Sequence, residues 1–415
     1  MTTLAQPARI SPFRRGSGLR ARIARAVAAR IVRRIPVRVV LPDGSALGRS
    51  EAPDDAPVIQ VVRPAAFFGR MGDQPKIGFG EAYMAGDWQP APGTDLGVAL
   101  TPFAERIATA VPRPLQRLRT LVEQRVPRSQ RNTPTGSRRN IEAHYDLSND
   151  LFTTFLDPSL SYSSALFDDA RPLADQSLEE AQLRKVDAAL DLAGVRAGIR
   201  VLEIGTGWGT LAIRAAQRGA HVTTLTLSRE QAALAQQRVR EAGVAHLVDI
   251  RLQDYREAEG TYDAVVSVEM IEAVGDEYWP TYFATIDRLL APGGTAAVQA
   301  ILMSHERYLA TRRSFSWIQK HIFPGGIIPS LRAIETTTAE HTSLRVVQTR
   351  HFGTHYAETL RRWRAAFLAG WPQVATLGFD GTFRRMWELY LAYSEAGFNA
   401  GYLDVAQIRL QRVAA

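Results

Sequence analysis

The sequence predicts an α/β fold, in which a smaller α+β domain precedes a doubly wound sheet of parallel strands. Beyond residue 140, short apolar segments alternate with amphipathic helical segments, which is the pattern of parallel strands joined by right-handed crossovers. A glycine-rich turn at 205–209 follows one of these apolar segments and opens a helix, as in ligand-binding α/β sheets. The length of 415 residues leaves room for two domains.

The first domain, predicted at residues 1–126, begins with a basic amphipathic helix. Ten arginines and no acidic residue lie between Arg9 and Arg38. Apolar residues recur at every fourth position and form one helical stripe, made of Leu19, Ile23, Val27, Ile31 and Ile35. Such a helix is typical of proteins that lie on anionic membrane surfaces, so we predict a lipid-associated domain. Packing on the body of the protein and contact with nucleic acid are the two alternatives.

Short strands and further helices are predicted in the rest of this domain. Residues 37–41 and the chain from Ser45 onward flank an Asp43-Gly44 turn, which predicts a hairpin. The remaining predicted features are a strand at 58–63, a segment rich in glycine and aromatic residues at 77–88, helices within 93–125 and a polar linker at 127–139.

The second domain, predicted at residues 140–415, carries the parallel sheet. Its predicted strands are 200–204, 221–227, 248–252, 262–268 and 294–302. The predicted helices are 175–195, 209–218, 229–242 and 277–290. The alternation then stops, and we predict an insertion at 303–345. Insertions over the carboxyl edge of such a sheet commonly form a substrate pocket or its lid.

The composition excludes several classes of site. The chain has no cysteine, so disulfides, thiolate metal sites and cysteine nucleophiles are excluded. Metal ligation by histidine and carboxylate side chains remains open from composition, but we predict no metal site. No run of about 18 apolar residues occurs, so no segment is expected to span a bilayer. Arginines interrupt the first apolar stretch, which argues against a secretory signal. We therefore predict a cytoplasmic protein that is peripheral at the inner face of the cell membrane.

The glycine-rich turn predicts the ligand of the sheet. Its pattern is E-x-G-x-G-x-G, with Glu203 at the end of a strand and Gly205 and Gly207 in the turn. A dinucleotide site would require G-x-G-x-x-G. The observed spacing resembles the S-adenosylmethionine (SAM) loop of class I methyltransferases, which have a Rossmann-like sheet. An ordinary glycine turn and a nicotinamide site are the alternatives.

Six further segments occur in a fixed order along the chain. They are NIEAHYDLSNDLF from Asn140, LDPSLSYSSALF from Leu156, VEMIEAVG from Val268, HIFPGGIIPS from His321, HFGTHY from His351 and YSEAGF from Tyr393. Together they resemble the cyclopropane-fatty-acyl-phospholipid synthase family. The resemblance is strong over residues 140–406 and weaker over the first domain, where the segment 78–88 carries it.

The resemblance implies methyl transfer from SAM to the cis double bond of an acyl chain in a membrane phospholipid. An alkene is a weak nucleophile, so the reaction needs in-line positioning, a site that tolerates a carbocation and a base that removes one proton. In this family a bound bicarbonate is the usual candidate for that base. The resemblance also implies a homodimer.

The resemblance assigns a catalytic group that includes departures from the family. Glu272 and Tyr356 match the family's glutamate and tyrosine, whereas Ser164 and Ser394 stand where cysteines are usual. Gln299 stands where some members have a histidine, and His144 belongs to the His-Tyr-Asp motif. Serine and glutamine can still donate hydrogen bonds to a small oxyanion. Each of these residues also has a structural alternative, such as a core tyrosine or a brace for the linker.

The resemblance also assigns the SAM-binding residues. Those expected are Tyr162, Ser163, Glu203, Gly205, Gly207, Thr226, Gln231, Asp254 and Tyr255. An acidic residue usually grips the ribose at the end of the second strand. Thr226 stands there in this chain, and Gln231 is the expected substitute.

One branch of the family is the most similar. The strings SVEMIEAVG and LAYSEAGF resemble actinobacterial enzymes of the tuberculostearic type, which make 10-methylene and later 10-methyl stearoyl chains. We therefore predict a 10-methylene product, with a reductase partner for the methyl branch, and keep cyclopropane formation as the alternative.

A nucleic-acid methyltransferase and a non-catalytic SAM- or lipid-binding protein are competing hypotheses. A nucleic-acid methyltransferase would be expected to contain a target-base motif such as N-P-P-Y, and this chain has none, so we predict no nucleic-acid partner.

Overall fold

The structure is a computed structural model that describes residues 18–48, 52–110 and 148–413, together with Ile10 and Pro127. The predicted linker, apart from Pro127, and the predicted site residue His144 lie outside the described residues. Within the described ranges, no helix combines the length and apolar character that crossing a membrane requires.

The N-terminal domain contains a small sheet with helices packed against it. Its elements are α1 (Gly18–Val32), β1 (Arg38–Val40), β2 (Val58–Val61), α2 (Pro64–Asp73), α3 (Pro75–Met84), β3 (Trp88–Pro90) and α4 (Leu96–Ala110). The strand order is β1-β2-β3. The predicted hairpin is reduced to one antiparallel bridge between Val40 and Ala46, because β1 pairs instead with β2, in parallel.

Helix α1 divides the predicted apolar stripe into two parts. Leu19 and Ile23 are 72% and 55% exposed, whereas Val27 and Ile31 are half-buried. Ile35 lies beyond the end of the helix and is buried in the core. The first two turns of α1 therefore present apolar side chains and arginines to solvent, and the last turns pack on the domain.

The second domain begins with the predicted alternation of helices and strands. Its first elements are α5 (Asn149–Thr153), α6 (Leu178–Leu192), β4 (Arg200–Ile204), α7 (Thr210–Gln217), β5 (His221–Thr226), α8 (Arg229–Glu241), β6 (Val248–Leu252), β7 (Tyr262–Val268), α9 (Ile271–Val274), α10 (Trp279–Leu289) and β8 (Leu290–Leu302). Serines cap several of these helices: Ser177 forms a capping box with Glu180 at α6, and Ser228 caps α8.

The C-terminal part adds helices and two strands that the sequence analysis did not predict. Its elements are α11 (His305–Thr311), α12 (Trp317–His321), α13 (Leu331–His341), β9 (Leu344–His351), α14 (Gly353–Ala369), α15 (Trp371–Thr376), α16 (Gly381–Asn399) and β10 (Asp404–Arg412). The predicted insertion therefore holds three helices and leads into the edge strand β9.

The seven strands of this domain form one sheet in the order β6-β5-β4-β7-β8-β10-β9. Strands β4 to β8 pair in parallel, which confirms the predicted α/β class. Strand β10 is antiparallel to both of its neighbours, so the sheet is mixed and not purely parallel. The order reverses at β4, whose carboxyl end is the place where open α/β sheets bind ligands.

The two domains pack closely on each other. Gly80 of α3 lies against the indole of Trp317, whose Nε1 donates to the sulfur of Met84 at 3.2 Å. Glu81, which is buried beside Gly80, forms an ion pair with Lys320 and a hydrogen bond with His321 of α12. Contacts from the N-terminal domain therefore hold the insertion of the second domain in place.

We expect Gly80→Ala to destabilise the protein, because an added Cβ would lie 2.5 Å from the indole of Trp317. Overpacking of this kind costs about 1–3 kcal/mol. The control is Gly381→Ala, where a Cβ meets no atom within 4 Å and the expected change is below about 0.5 kcal/mol. Thermal unfolding measures both variants, and equal melting midpoints would contradict the described packing of the domains.

Candidate active site

The glycine loop connects β4 to α7 and is built from backbone that only glycine adopts easily. Gly205, Gly207 and Gly209 have φ values of 100°, 51° and 89°. A Cβ at Gly205 would lie 2.6 Å from Cγ of Met270, so the turn has no room for a side chain. A Cβ at Gly207 would meet no atom within 4 Å. The loop therefore exposes its backbone to open space, which fits the close approach of a ligand such as SAM.

Glu203 is a buried carboxylate near the carboxyl end of β4. Thr224 of β5 donates to its Oε2 at 2.6 Å, and the same hydroxyl lies 2.7 Å from that of Thr206. Burial raises the pKa of Glu203 to about 8, and the bond from Thr224 only partly opposes this. The side chain therefore joins β4, β5 and the glycine loop.

The structure brings all nine predicted SAM residues to one cleft at the carboxyl edge of the sheet. The cleft is lined by Tyr162, Ser163, Glu203, Gly205, Gly207, Thr226, Gln231, Asp254 and Tyr255. Thr226 donates to Oε1 of Gln231 at 3.0 Å, which places the expected ribose residues side by side. Asp254 is paired through both oxygens with Arg256, at 2.9 and 2.6 Å.

The predicted catalytic donors converge on a carboxylate that the sequence analysis did not assign. Oε1 of Glu269 accepts from the backbone N–H of Ser164 at 2.9 Å and from Nε2 of Gln299 at 2.8 Å. Oε2 accepts from the hydroxyl of Tyr356 at 2.7 Å. Glu269 follows β7 and also lines the cleft of the glycine loop. Three of the predicted catalytic residues therefore surround Glu269.

Glu269 has a backbone conformation that is unusual for its residue type. Its φ of 51° lies in the left-handed region that favours glycine, a strain that clusters at functional sites. Burial raises the pKa of its carboxyl group, whereas the three hydrogen bonds and the charge of Lys185 act in the opposite direction. The available sequence signal was a second glutamate at the carboxyl end of a strand.

Two other predicted catalytic residues, Glu272 and Ser394, make no hydrogen bond to Glu269 among the described residues. Oε1 of Glu272 accepts from the backbone N–H of Ile301, and its enclosed Oε2 has no hydrogen-bond partner among the described residues. Burial and the neighbouring Glu269 raise the pKa of Glu272 to about 8. Ser394 is half-buried on α16 and makes no hydrogen bond to Glu269 within the described chain. The roles of Glu272 and Ser394 stay predictions.

Two positioning residues were also missed. Lys185 of α6 is buried, and its Nζ donates to Oγ of Ser163 at 2.6 Å. Gln407 of β10 lies opposite Gln299 in the sheet and donates to its Oε1 at 3.1 Å, which turns Nε2 of Gln299 toward Glu269. Lys185 had a signal in the sequence, because it is one of only three lysines in a chain with 50 basic residues.

Aromatic rings pack beside the tyrosines of this site. Tyr162 lies 5.3 Å from Trp363 between ring centroids, and Tyr356 lies 6.2 Å from the same indole. The Tyr162 hydroxyl is 2.8 Å from that of Tyr390. Trp363 is fully buried and belongs to the main core, so its packing connects the two tyrosines to that core.

The histidines of the described chain do not form a metal centre. His351 and His355 are four residues apart, a spacing common in metal-binding helices, but His351 ends β9 and pairs with Asp404 at 2.6 Å. His355 pairs with Asp169 at 2.9 Å. The described ranges contain no group of three metal-ligating side chains.

Comparison with known proteins shows that the chain is similar to members of one family. The model of mycolic acid cyclopropane synthetase matches residues 132–408. The tuberculostearic acid methyltransferase of Mycobacterium tuberculosis is 52% identical over 93% of this chain and 91% of its own. The cyclopropane-fatty-acyl-phospholipid synthase of Escherichia coli is 33% identical over 86% of this chain and 88% of its own.

A solved structure agrees with the sequence relatives. The mycolic acid cyclopropane synthase CmaA1, complexed with SAH and CTAB, is 31% identical and superposes with a TM-score of 0.60. It covers 66% of this chain and 98% of its own. With the family model matched over more than half of its length, the chain belongs to the mycolic acid cyclopropane synthetase family.

Proposed function

We propose that this protein transfers the methyl group of SAM to the cis double bond of an oleoyl-type phospholipid chain and produces a 10-methylene branch. The observation that carries the proposal is the 52% identity, over 93% of the chain, to a tuberculostearic acid methyltransferase. Cyclopropane formation on the same double bond is the alternative, because a cyclopropane synthase is 33% identical over 86% of the chain.

The cleft fits SAM as the methyl donor. SAM supplies an electrophilic methyl group when it is bound. Gly205 and Gly207 would hold its methionine part, and Thr226 with Gln231 would hold its ribose. This fit is supported by the open space at Gly207 and by the bond that aligns Thr226 with Gln231.

The aromatic side chains favour chemistry with a cationic intermediate. Tyr162 lines the cleft, Tyr356 touches Glu269, and both rings pack near Trp363. The faces of such rings attract cations, and their bulk excludes water that would quench a carbocation. These rings would therefore protect the positive charge that methylation leaves on the acyl chain.

The product depends on the order of two events after methylation. Loss of a methyl proton at once closes a cyclopropane ring, whereas a prior hydride shift leads to an exocyclic methylene. The position of the base relative to the cation selects the outcome. Reduction of the methylene to a methyl branch needs two electrons, so it requires a separate reductase.

Helix α1 supports a role at the membrane surface. Leu19 and Ile23 are largely exposed, and Arg20, Arg22 and Arg25 are exposed around them. Apolar side chains inserted between anionic headgroups, with arginines beside them, give reversible surface binding. We propose that α1 brings the catalytic domain to the inner face of the membrane, and that the protein acts as a homodimer.

The lipid product tests the proposed reaction. In a host that makes oleoyl phospholipids, expression of the protein should yield acyl chains with an exocyclic methylene group. Both products add one CH2 unit, so NMR of the purified chains is needed to distinguish vinylidene protons from ring protons. Chains that contain only rings would favour the alternative, and unmodified chains would contradict methyl transfer altogether.

We expect Gly205→Ala to abolish measurable binding of SAM, because the added Cβ would strike Met270 and the φ of 100° disfavours alanine. Calorimetric titration with SAM measures this. Gly194→Ala is the matched control, because its φ is 72° and a Cβ there meets no atom within 4 Å. It should cost about 1–2 kcal/mol of stability and retain SAM affinity. Equal loss of affinity in both variants would indicate general destabilisation.

The double variant Leu19→Asp and Ile23→Asp should lose most of its binding to vesicles rich in phosphatidylglycerol. Each burial of such a side chain contributes about 1.5–3 kcal/mol, and the new charges oppose the anionic surface. Vesicle co-sedimentation measures the effect. Val347→Asp, at a 48% exposed position on β9, is the control and should bind like the wild type. Undiminished binding of the double variant would exclude α1 as the contact.

A further inference from the structure

The hydrogen-bond donors that the family resemblance assigns to bicarbonate are already used within this chain. Ser164, Gln299 and Tyr356 direct three donors at the two oxygens of Glu269, at 2.7–2.9 Å. The hydroxyl of Ser164 donates to the carbonyl of Ala165. A bound bicarbonate would need the same three donors. The site therefore does not fit bicarbonate while the carboxylate of Glu269 accepts their hydrogen bonds.

The side chain of Glu269 accepts these three hydrogen bonds although its backbone conformation is strained. Glu269 has a φ of 51°, in a region that L-residues other than Asn and Asp rarely adopt. Strain of this kind persists when the surrounding structure enforces it, and it is concentrated at active sites. The strained backbone, the three donors and the position in the SAM cleft are separate observations about one residue.

We propose that the carboxylate of Glu269 is the proton acceptor of this enzyme, built into the chain in place of a bound bicarbonate. The inference rests on the proposed methyl transfer and names its base. Glu269 is thus a catalytic residue, whereas Gln299, Gln407 and Tyr356 position its carboxylate.

The step balances without a further reactant. After methylation and the hydride shift, the positive charge lies on the acyl carbon that carries the new methyl group. One C–H bond of that methyl breaks, and its electron pair forms the exocyclic C=C bond. The proton forms an O–H bond with Glu269. Within the described residues, Oε2 accepts only the hydrogen bond from Tyr356, so a lone pair is left for the proton.

The charges around Glu269 support this role. Lys185 favours the ionised carboxylate electrostatically, and it also lines the cleft. Burial raises the pKa of Tyr356 far above its usual range, so its hydroxyl stays protonated and continues to donate. A carboxylate that is buried but paired in this way stays available as a base inside a site that excludes water.

Two substitutions at one position separate the protein carboxylate from bicarbonate. Glu269→Gln keeps the volume of the side chain but cannot accept the proton. Glu269→Gly removes the side chain, suits the φ of 51° and leaves the three donors free for a small oxyanion. The assay is transfer of labelled methyl from SAM to dioleoyl phosphatidylglycerol vesicles, in buffer freed of carbon dioxide and in buffer with bicarbonate. SAM affinity and the 13C NMR signal of labelled bicarbonate are measured in parallel.

The wild type should work equally well with and without bicarbonate and bind none of it. Glu269→Gln should lose roughly 10²–10⁴-fold in rate in both buffers and still bind SAM, so that saturating SAM does not restore the rate. Glu269→Gly should be equally slow without bicarbonate, regain part of the rate with it and show a bound 13C signal.

Three results would overturn the proposal: a wild type that needs bicarbonate, a wild type that binds it, or a Glu269→Gln variant with the wild-type rate. A wild type that leaves the vesicles unmethylated would refute the proposed function instead. The NMR measurement would still decide which anion the donors hold.

Discussion

The arrangement of the active site depends on the hydrogen bonds that the buried carboxylate of Glu269 accepts. An unpaired charge inside a protein is costly, so Glu269 can be buried only if several donors reach it. Those donors come from the segment before α6, from β8 and from α14, which are distant in the chain. The positions of these elements relative to β7 are therefore coupled through one side chain. Gln407 extends the coupling to β10, because it orients Gln299.

The sequence predicted the part of the fold that local patterns determine. Strands β4 to β8 and the glycine loop were predictable from short apolar runs and from the spacing of three glycines, and both signals are confined to a few residues. Strand β10 is different, since it pairs with β8 between residues 108 positions apart, such as Gln407 and Gln299. Nothing in a local pattern indicates that a late strand inserts antiparallel beside β8. Two strands of the small N-terminal sheet were predicted, but their pairing was not, because β1 pairs with β2 and not with the chain after the Asp43-Gly44 turn.

Motifs in the sequence indicate where a residue lies in the fold, but they do not determine the direction of its side chain. Most residues expected for SAM lie at the carboxyl end of a strand or in the loop or helix that follows, and they share one cleft with Tyr162 and Ser163 from the segment before α6. Glu269 and Glu272 are three positions apart, and the family motif favoured Glu272. The positive φ of Glu269 turns its side chain toward Ser164 and Tyr356. A pattern of residue types does not contain that angle, and a glutamate is the less expected residue at it.

The electrostatics of the cleft connect the methyl donor to the base. Glu203, Glu269 and Lys185 line the same cleft, and burial disfavours the charged form of each. An added cation lowers the pKa of a nearby carboxyl group, as Lys185 already does for Glu269. SAM carries a sulfonium charge that no change of pH removes, so its presence in the cleft would act in the same direction as Lys185. By linkage, the ionised carboxylates would in turn favour the cationic donor. Glu269 would then be most ionised when a methyl group is ready for transfer, which is the state in which a base is required.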